Sequence, residues 1–118
     1  MSGGKFKLES PPPALSETDL MRQIMVALSA DGRFVARANV GLFFTADGRP
    51  VKTGLPRGFS DLFGHRLSDC RAFYLEVKTA KGRPSPEQLA FIAAMKKRGA
   101  IAAIVRSVED ARLAVNGG

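Results

Sequence analysis

Asp61 and Glu76 stand fifteen positions apart, and Glu76 is followed at once by Val77 and Lys78, so one short window carries two carboxylates and an ammonium group. These are the groups that metal-assisted phosphodiester hydrolysis asks of a protein. A hard dication such as Mg²⁺ takes one or two carboxylates and keeps waters and phosphate oxygens as its other ligands. Such an ion lowers the pKa of a water and offsets charge on the phosphate, while a lysine orients the attacking water or stabilises the transition state. The chemistry needs neither His nor Cys. For structure alone, a Glu and a Lys two apart on a strand are a solvated charge pair, and an Asp beside glycines is a turn former. Spacing by itself leaves both readings open.

The surrounding elements must bring these groups together. Ala72-Phe73-Tyr74-Leu75-Glu76-Val77-Lys78 is apolar, aromatic and β-branched, so it reads as a strand with Glu76 and Lys78 on one face and Leu75 and Val77 on the other. Gly58-Phe59-Ser60-Asp61-Leu62-Phe63-Gly64 reads as a short antiparallel neighbour, which would set Asp61 beside Glu76. Upstream, Ser16 and Asp19 open a helix whose apolar stripe, Leu20, Met21, Ile24, Met25 and Leu28, runs to Asp31-Gly32. Glu17 lies in its first turn, where the helix dipole favours a carboxylate.

Residues 34–44 read as a strand interrupted near Gly41, with Arg37 an ordinary strand-face residue and Asn39 near a strand end. Residues 45–57, with the Asp47-Gly48 turn and Arg49, Lys52 and Arg57, read as a mobile basic loop able to grip a phosphate backbone. Lys81 and Arg83 lie in a second basic loop. Ser85-Pro86-Glu87-Gln88 then starts a helix that places Leu89, Phe91, Ile92 and Met95 toward the core and ends at Lys96-Lys97-Arg98-Gly99. Gln88 at that position bonds back to the cap, yet it also sits one short loop from Lys78, within reach of a water or phosphate oxygen; the two roles would coexist only if the side chain changed partners. Residues 100–105 are a buried strand, and Ser107 with Asp110 starts a last helix to Val115. The order is helix, three strands, helix, strand, helix.

With Gly58-Phe59-Ser60-Asp61, Leu75-Glu76-Val77-Lys78-Thr79 and Ser85-Pro86-Glu87-Gln88-Leu89-Ala90-Phe91, the chain resembles the virus-type replication-repair nuclease (VRR-NUC) domain of the PD-(D/E)XK nuclease superfamily. The resemblance implies an α/β fold with a restriction-endonuclease-like αβββαβ core, its mixed central sheet flanked by helices. It implies a site of Glu17, Asp61, Glu76, Lys78 and Gln88, with Asp61, Glu76 and the Val77 carbonyl holding Mg²⁺ or Mn²⁺. A stretch like that around Arg37 and Asn39 borders the family's site. One residue departs from the superfamily signature: Ser60 stands where it has Pro, a residue that shapes backbone and ligates nothing. The activity implied is an endonuclease for branched DNA such as four-way (Holliday) junctions, acting in DNA repair as a homodimer that cuts two strands. A non-catalytic nucleic-acid-binding module of the same fold, or a nuclease for linear ends or RNA, fits the same residues.

Composition agrees with a nucleic-acid partner. The 118 residues suit one domain over 15–118 after a polar, Pro-containing arm at 1–14, and 18 basic against 11 acidic residues give a net charge of +7. Neutralising phosphates releases condensed counterions, which favours a basic domain on DNA or RNA. No apolar run approaches the roughly 18 residues of a membrane span, and no helix has the form of an interfacial anchor. The lone Cys70 reads as a packing thiol in a reducing compartment, and His65, without a companion, as a solvated loop residue. The expected location is the cytoplasm of a bacterial or phage-infected cell.

Overall fold

The computed structural model describes residues 15–117; the arm at 1–14 lies outside them. The chain runs α1 (Glu17–Ala30), β1 (Phe34–Arg37), β2 (Leu42–Phe44), β3 (Pro50–Lys52), β4 (Leu62–His65), β5 (Ala72–Val77), α2 (Pro86–Lys97), β6 (Ile101–Val105) and α3 (Val108–Gly117). Strands β1, β4, β5 and β6 form a four-stranded sheet in that spatial order, antiparallel except for the β5–β6 pair. Helix α2 makes the crossover that a parallel pair requires.

Alternation along β5 sorts the sheet into two faces. Phe73, Leu75 and Val77 join Leu20, Met21, Ile24 and Leu28 of α1 and Ala111 and Val115 of α3 in one buried cluster. Tyr74 and Glu76 point the other way, toward α2, where Tyr74, Phe59, Phe63 and Phe91 form an aromatic group with ring centroids 4.7 to 5.9 Å apart. The side chains that could do chemistry therefore share the α2 face.

Local sequence explains the ends. Ser16 caps α1 by accepting from the Asp19 N–H, and Ser85 caps α2 in a reciprocal capping box with Gln88. Gly64 lets β1 approach β4: a Cβ there would lie 1.8 Å from the Phe34 carbonyl oxygen.

Several expectations need correction. Residues 34–44 are two strands in different sheets, because the chain turns at Gly41 with φ +126°. The basic stretch 45–57 is no simple loop: β3 pairs with β2 in an antiparallel hairpin, Phe43 opposite Val51 and Phe44 opposite Pro50. Pro50 is tolerated because a two-stranded ribbon has only edges. Leu89 is half exposed while Ile92 carries the buried contact of α2. Cys70 is exposed in a turn with φ +57°, so it does not pack. His65 ends β4 and stacks on Phe34 at 5.3 Å instead of standing in a solvated loop. Among the described residues no helix is long and apolar enough to cross a membrane.

Candidate active site

The register that pairs Leu62 with Leu75 carries Asp61, one residue ahead of β4, to a position opposite Glu76. Two devices fix that residue. Ser60 is fully buried and its hydroxyl donates to the Leu62 carbonyl at 2.9 Å, so a side-chain hydrogen bond shapes the entry to β4. Gly58, at φ +82°, brings the chain against the start of α2, where a Cβ would lie 2.4 Å from the Glu87 carbonyl oxygen. The same approach sets Asp61 near Gln88.

Glu76 is the centre of the group. It is 1% exposed, and its Oε2 accepts from Gln88 Nε2 at 2.7 Å and lies 3.4 Å from the Lys78 ammonium. Its Oε1 is buried with no hydrogen-bond partner among the described residues. Asp61 Oδ2 accepts from the Val77 N–H at 2.8 Å. Burial first, and then the neighbouring Asp61 carboxylate, push the Glu76 carboxyl up to about 8 against the opposing pull of Lys78. Lys78 alone does not offset the burial of one carboxyl group beside a second.

Gln88 performs both of its possible roles at once. Its Oε1 accepts from the Ser85 N–H at 2.8 Å, completing the capping box, while its Nε2 holds Glu76. The two ends of the amide serve different partners, so no exchange is needed. A Glu at this position could cap the helix but could not donate to Glu76.

A cleft of about 500 Å³ opens beside this cluster, lined by Arg37, Asn39, Phe43, Arg57, Asp61 and Gln88 among others. Lys52 and Arg57 border an adjoining depression of about 330 Å³. Arg49 is exposed and paired with Asp47 at 3.2 Å. Lys81 and Arg83 are exposed on the loop between Lys78 and α2 and do not line the cleft. Glu17 is half-buried in the first turn of α1, and no group of three or more His, Cys, Asp or Glu side chains placed to hold a metal occurs among the described residues. The structure thus brings Asp61, Glu76, Lys78 and Gln88 together and leaves Glu17 outside a three-acid cluster.

The donor set suits a hard dication: Asp61 and Glu76 offer oxygens, and Glu76 Oε1 has no hydrogen-bond partner among the described residues. Sequence reasoning missed Arg106. Its Nη1 donates to the carbonyls of Thr79 at 2.6 Å and Gly82 at 2.8 Å, pinning the loop that follows Lys78. No local pattern marks an arginine 28 residues after the lysine beside which it acts.

A mixed sheet with helices on both faces, one carboxylate on β5 and a second just ahead of the neighbouring β4, makes an α/β fold of the restriction-endonuclease type. Two solved structures share it. One, a VRR_NUC domain, matches with a TM-score of 0.59 and 23% identity over 82% of this chain and 91% of its own. Another, a VRR_NUC domain protein, matches with a TM-score of 0.57 and 14% identity over 89% of this chain and 88% of its own. No family model matches the sequence. No curated protein matches it significantly. The expected fold is borne out.

Proposed function

We propose that this domain is a Mg²⁺- or Mn²⁺-dependent endonuclease that hydrolyses phosphodiester bonds in DNA. The observation that carries the reading is buried Glu76, held by Gln88 and Lys78, beside Asp61 and with Oε1 unpartnered. Asp61, Glu76 and the Val77 carbonyl would hold the ion, which when bound would supply an acidified water and charge neutralisation at the phosphate. Lys78 orients the water and answers negative charge growing on the phosphoryl oxygens. Gln88 fixes the Glu76 carboxylate, and the capping box in turn fixes Gln88. Arg37 and Arg57 at the cleft, with Lys52 beside it, bind flanking phosphates without reading sequence.

Branched DNA, four-way junctions included, is the proposed substrate, cut by a symmetric homodimer that presents two sites to two strands. The support is the shared VRR_NUC fold and the basic cleft. The test is cleavage of labelled linear, forked and four-way DNA with Mg²⁺ or Mn²⁺ by the wild type and Lys78→Ala. Loss of cleavage by at least about a hundredfold in the variant, with DNA binding kept, is expected. Binding without cleavage by both proteins would replace the nuclease by a non-catalytic module.

A further inference from the structure

The β2–β3 hairpin exposes large apolar side chains. Phe43, Phe44 and Val51 are 50%, 66% and 48% exposed, and neither strand packs substantially on another element. A two-stranded ribbon is marginal by itself, yet this one is braced at both ends. At the tip, Thr45 N–H donates to the Arg49 carbonyl at 2.8 Å and Arg49 N–H to Thr45 Oγ1 at 3.0 Å. At the base, Gly41 N–H donates to Thr53 Oγ1 and Thr53 N–H to the Gly41 carbonyl, both at 3.1 Å. The hairpin is a projection, hydrogen-bonded at its tip and base, that leaves aromatic rings half or more exposed.

Its orientation relative to the carboxylates gives the projection a purpose. Phe43 lines the same cleft as Asp61 and Gln88, and Val51 lies directly across from it on the same face. Phe44 and Pro50 alternate to the opposite face. Arg37 and Arg57 line the cleft with Phe43. An aromatic ring among cations, next to a phosphodiester site, matches the chemistry of a nucleotide: the base stacks on the ring and the phosphates meet the basic groups.

We propose that Phe43 is a base-stacking platform, backed by Val51, that takes one unstacked nucleobase next to the phosphate in the cleft. Base pairs in continuous duplex are stacked on both sides and offer no free face, so the platform favours DNA with an unpaired or frayed nucleotide, as at a gap, flap or junction. This deepens the nuclease reading and rests on the cleft being a nucleic-acid site. A second copy of the chain is the competing occupant. Two copies meeting through this face would bring Arg57 and Arg37 against their own counterparts, whereas DNA supplies the opposite charge.

The experiment is binding without turnover. Wild type, Phe43→Ala, Phe43→Trp and Phe44→Ala are titrated in EDTA against a continuous duplex and a gapped duplex of equal length carrying 2-aminopurine in the gap, with sedimentation on each protein. The wild type should bind gapped DNA more tightly than duplex and quench the 2-aminopurine. Phe43→Ala should lose that margin, about five- to a hundredfold by the usual worth of one stacked base, while keeping its duplex affinity. Phe43→Trp and Phe44→Ala should keep both. Equal margins in wild type and Phe43→Ala, or equal loss in Phe44→Ala, would overturn the proposal. Conversion of a dimer to a monomer by Phe43→Ala would overturn it in favour of a protein interface. Cleavage plays no part in this readout: a stacking signal without hydrolysis in Mg²⁺ or Mn²⁺ sinks the nuclease and keeps the platform, and hydrolysis without the signal does the reverse.

Discussion

Strand β5 and the β2–β3 hairpin border one site and follow opposite rules. In β5, Phe73, Leu75, Glu76 and Val77 are buried, and the apolar ones lock the sheet to α1 and α3. In the hairpin, β3 is exposed throughout and Phe43 and Phe44 of β2 stand in water. Stability resides in the first and outward-facing chemistry in the second. Glu76 is the point where they conflict: a carboxylate is placed where the fold would favour an apolar residue, which suits a binding site and weakens the core.

The largest effect that sharpens this contrast is mechanical. Phe73 is fully buried, so Phe73→Ala should destabilise the domain by about 3–5 kcal/mol, measured by urea unfolding. A cost below about 1 kcal/mol would mean that β5 does not anchor the fold.

The next effect tests the conflict at Glu76. Its carboxyl is pushed up to about 8 in the folded protein, above the ordinary value near 4.3 that it regains on unfolding. Between those values the folded chain holds a proton that the unfolded chain has released. Stability from this group is therefore full at acid pH, drains as pH rises toward about 8, and is level above. In EDTA, the Tm of wild type should fall relative to Glu76→Gln from about pH 5 to pH 8, on the order of a few kcal/mol in stability. Mn²⁺ should displace the proton and reduce the difference. Parallel Tm profiles without metal would show that the carboxyl is not held protonated.

A smaller effect concerns the loop between Lys78 and α2. Gly82 lies close enough that a Cβ would be 3.3 Å from Lys78 Cδ, and Arg106 holds the carbonyls on both sides of that turn. Arg106→Ala should lower kcat about tenfold with KM changed less than about twofold, because it loosens the loop beside Lys78 and leaves the cleft intact. Equal changes in both constants would make Arg106 a DNA contact instead of a positioning residue.

These residues also mark how far sequence carries. Asp61, Glu76, Lys78 and Gln88 were legible because each sits in a short motif whose period or cap fixes its direction. The helices were legible from Ser16, Ser85 and their apolar stripes. The hairpin was not: Pro50, Gly54 and the basic residues have turn and loop propensity, and the pairing of Phe43 with Val51 depends on the bend at Gly41. Ser60 and Arg106 act through carbonyls, which any sequence supplies, so their side chains carry no recognisable spacing. The double role of Gln88 needed the distance from α2 to β5, which a linear reading does not contain.

The smallest expected effect is the most direct check on the hairpin. Phe44 is 66% exposed, on the face turned away from the cleft, so folding removes little of its ring from water. Phe44→Ser should then change stability by less than about 0.5 kcal/mol in urea unfolding, whereas a ring covered by a second subunit would cost more and make the midpoint depend on protein concentration. A concentration-independent result with little change leaves the hairpin free in solution and its aromatic faces available to whatever enters the cleft. A large, concentration-dependent loss would place the outer face of the hairpin in the dimer and leave its cleft-facing Phe43 open to a nucleobase.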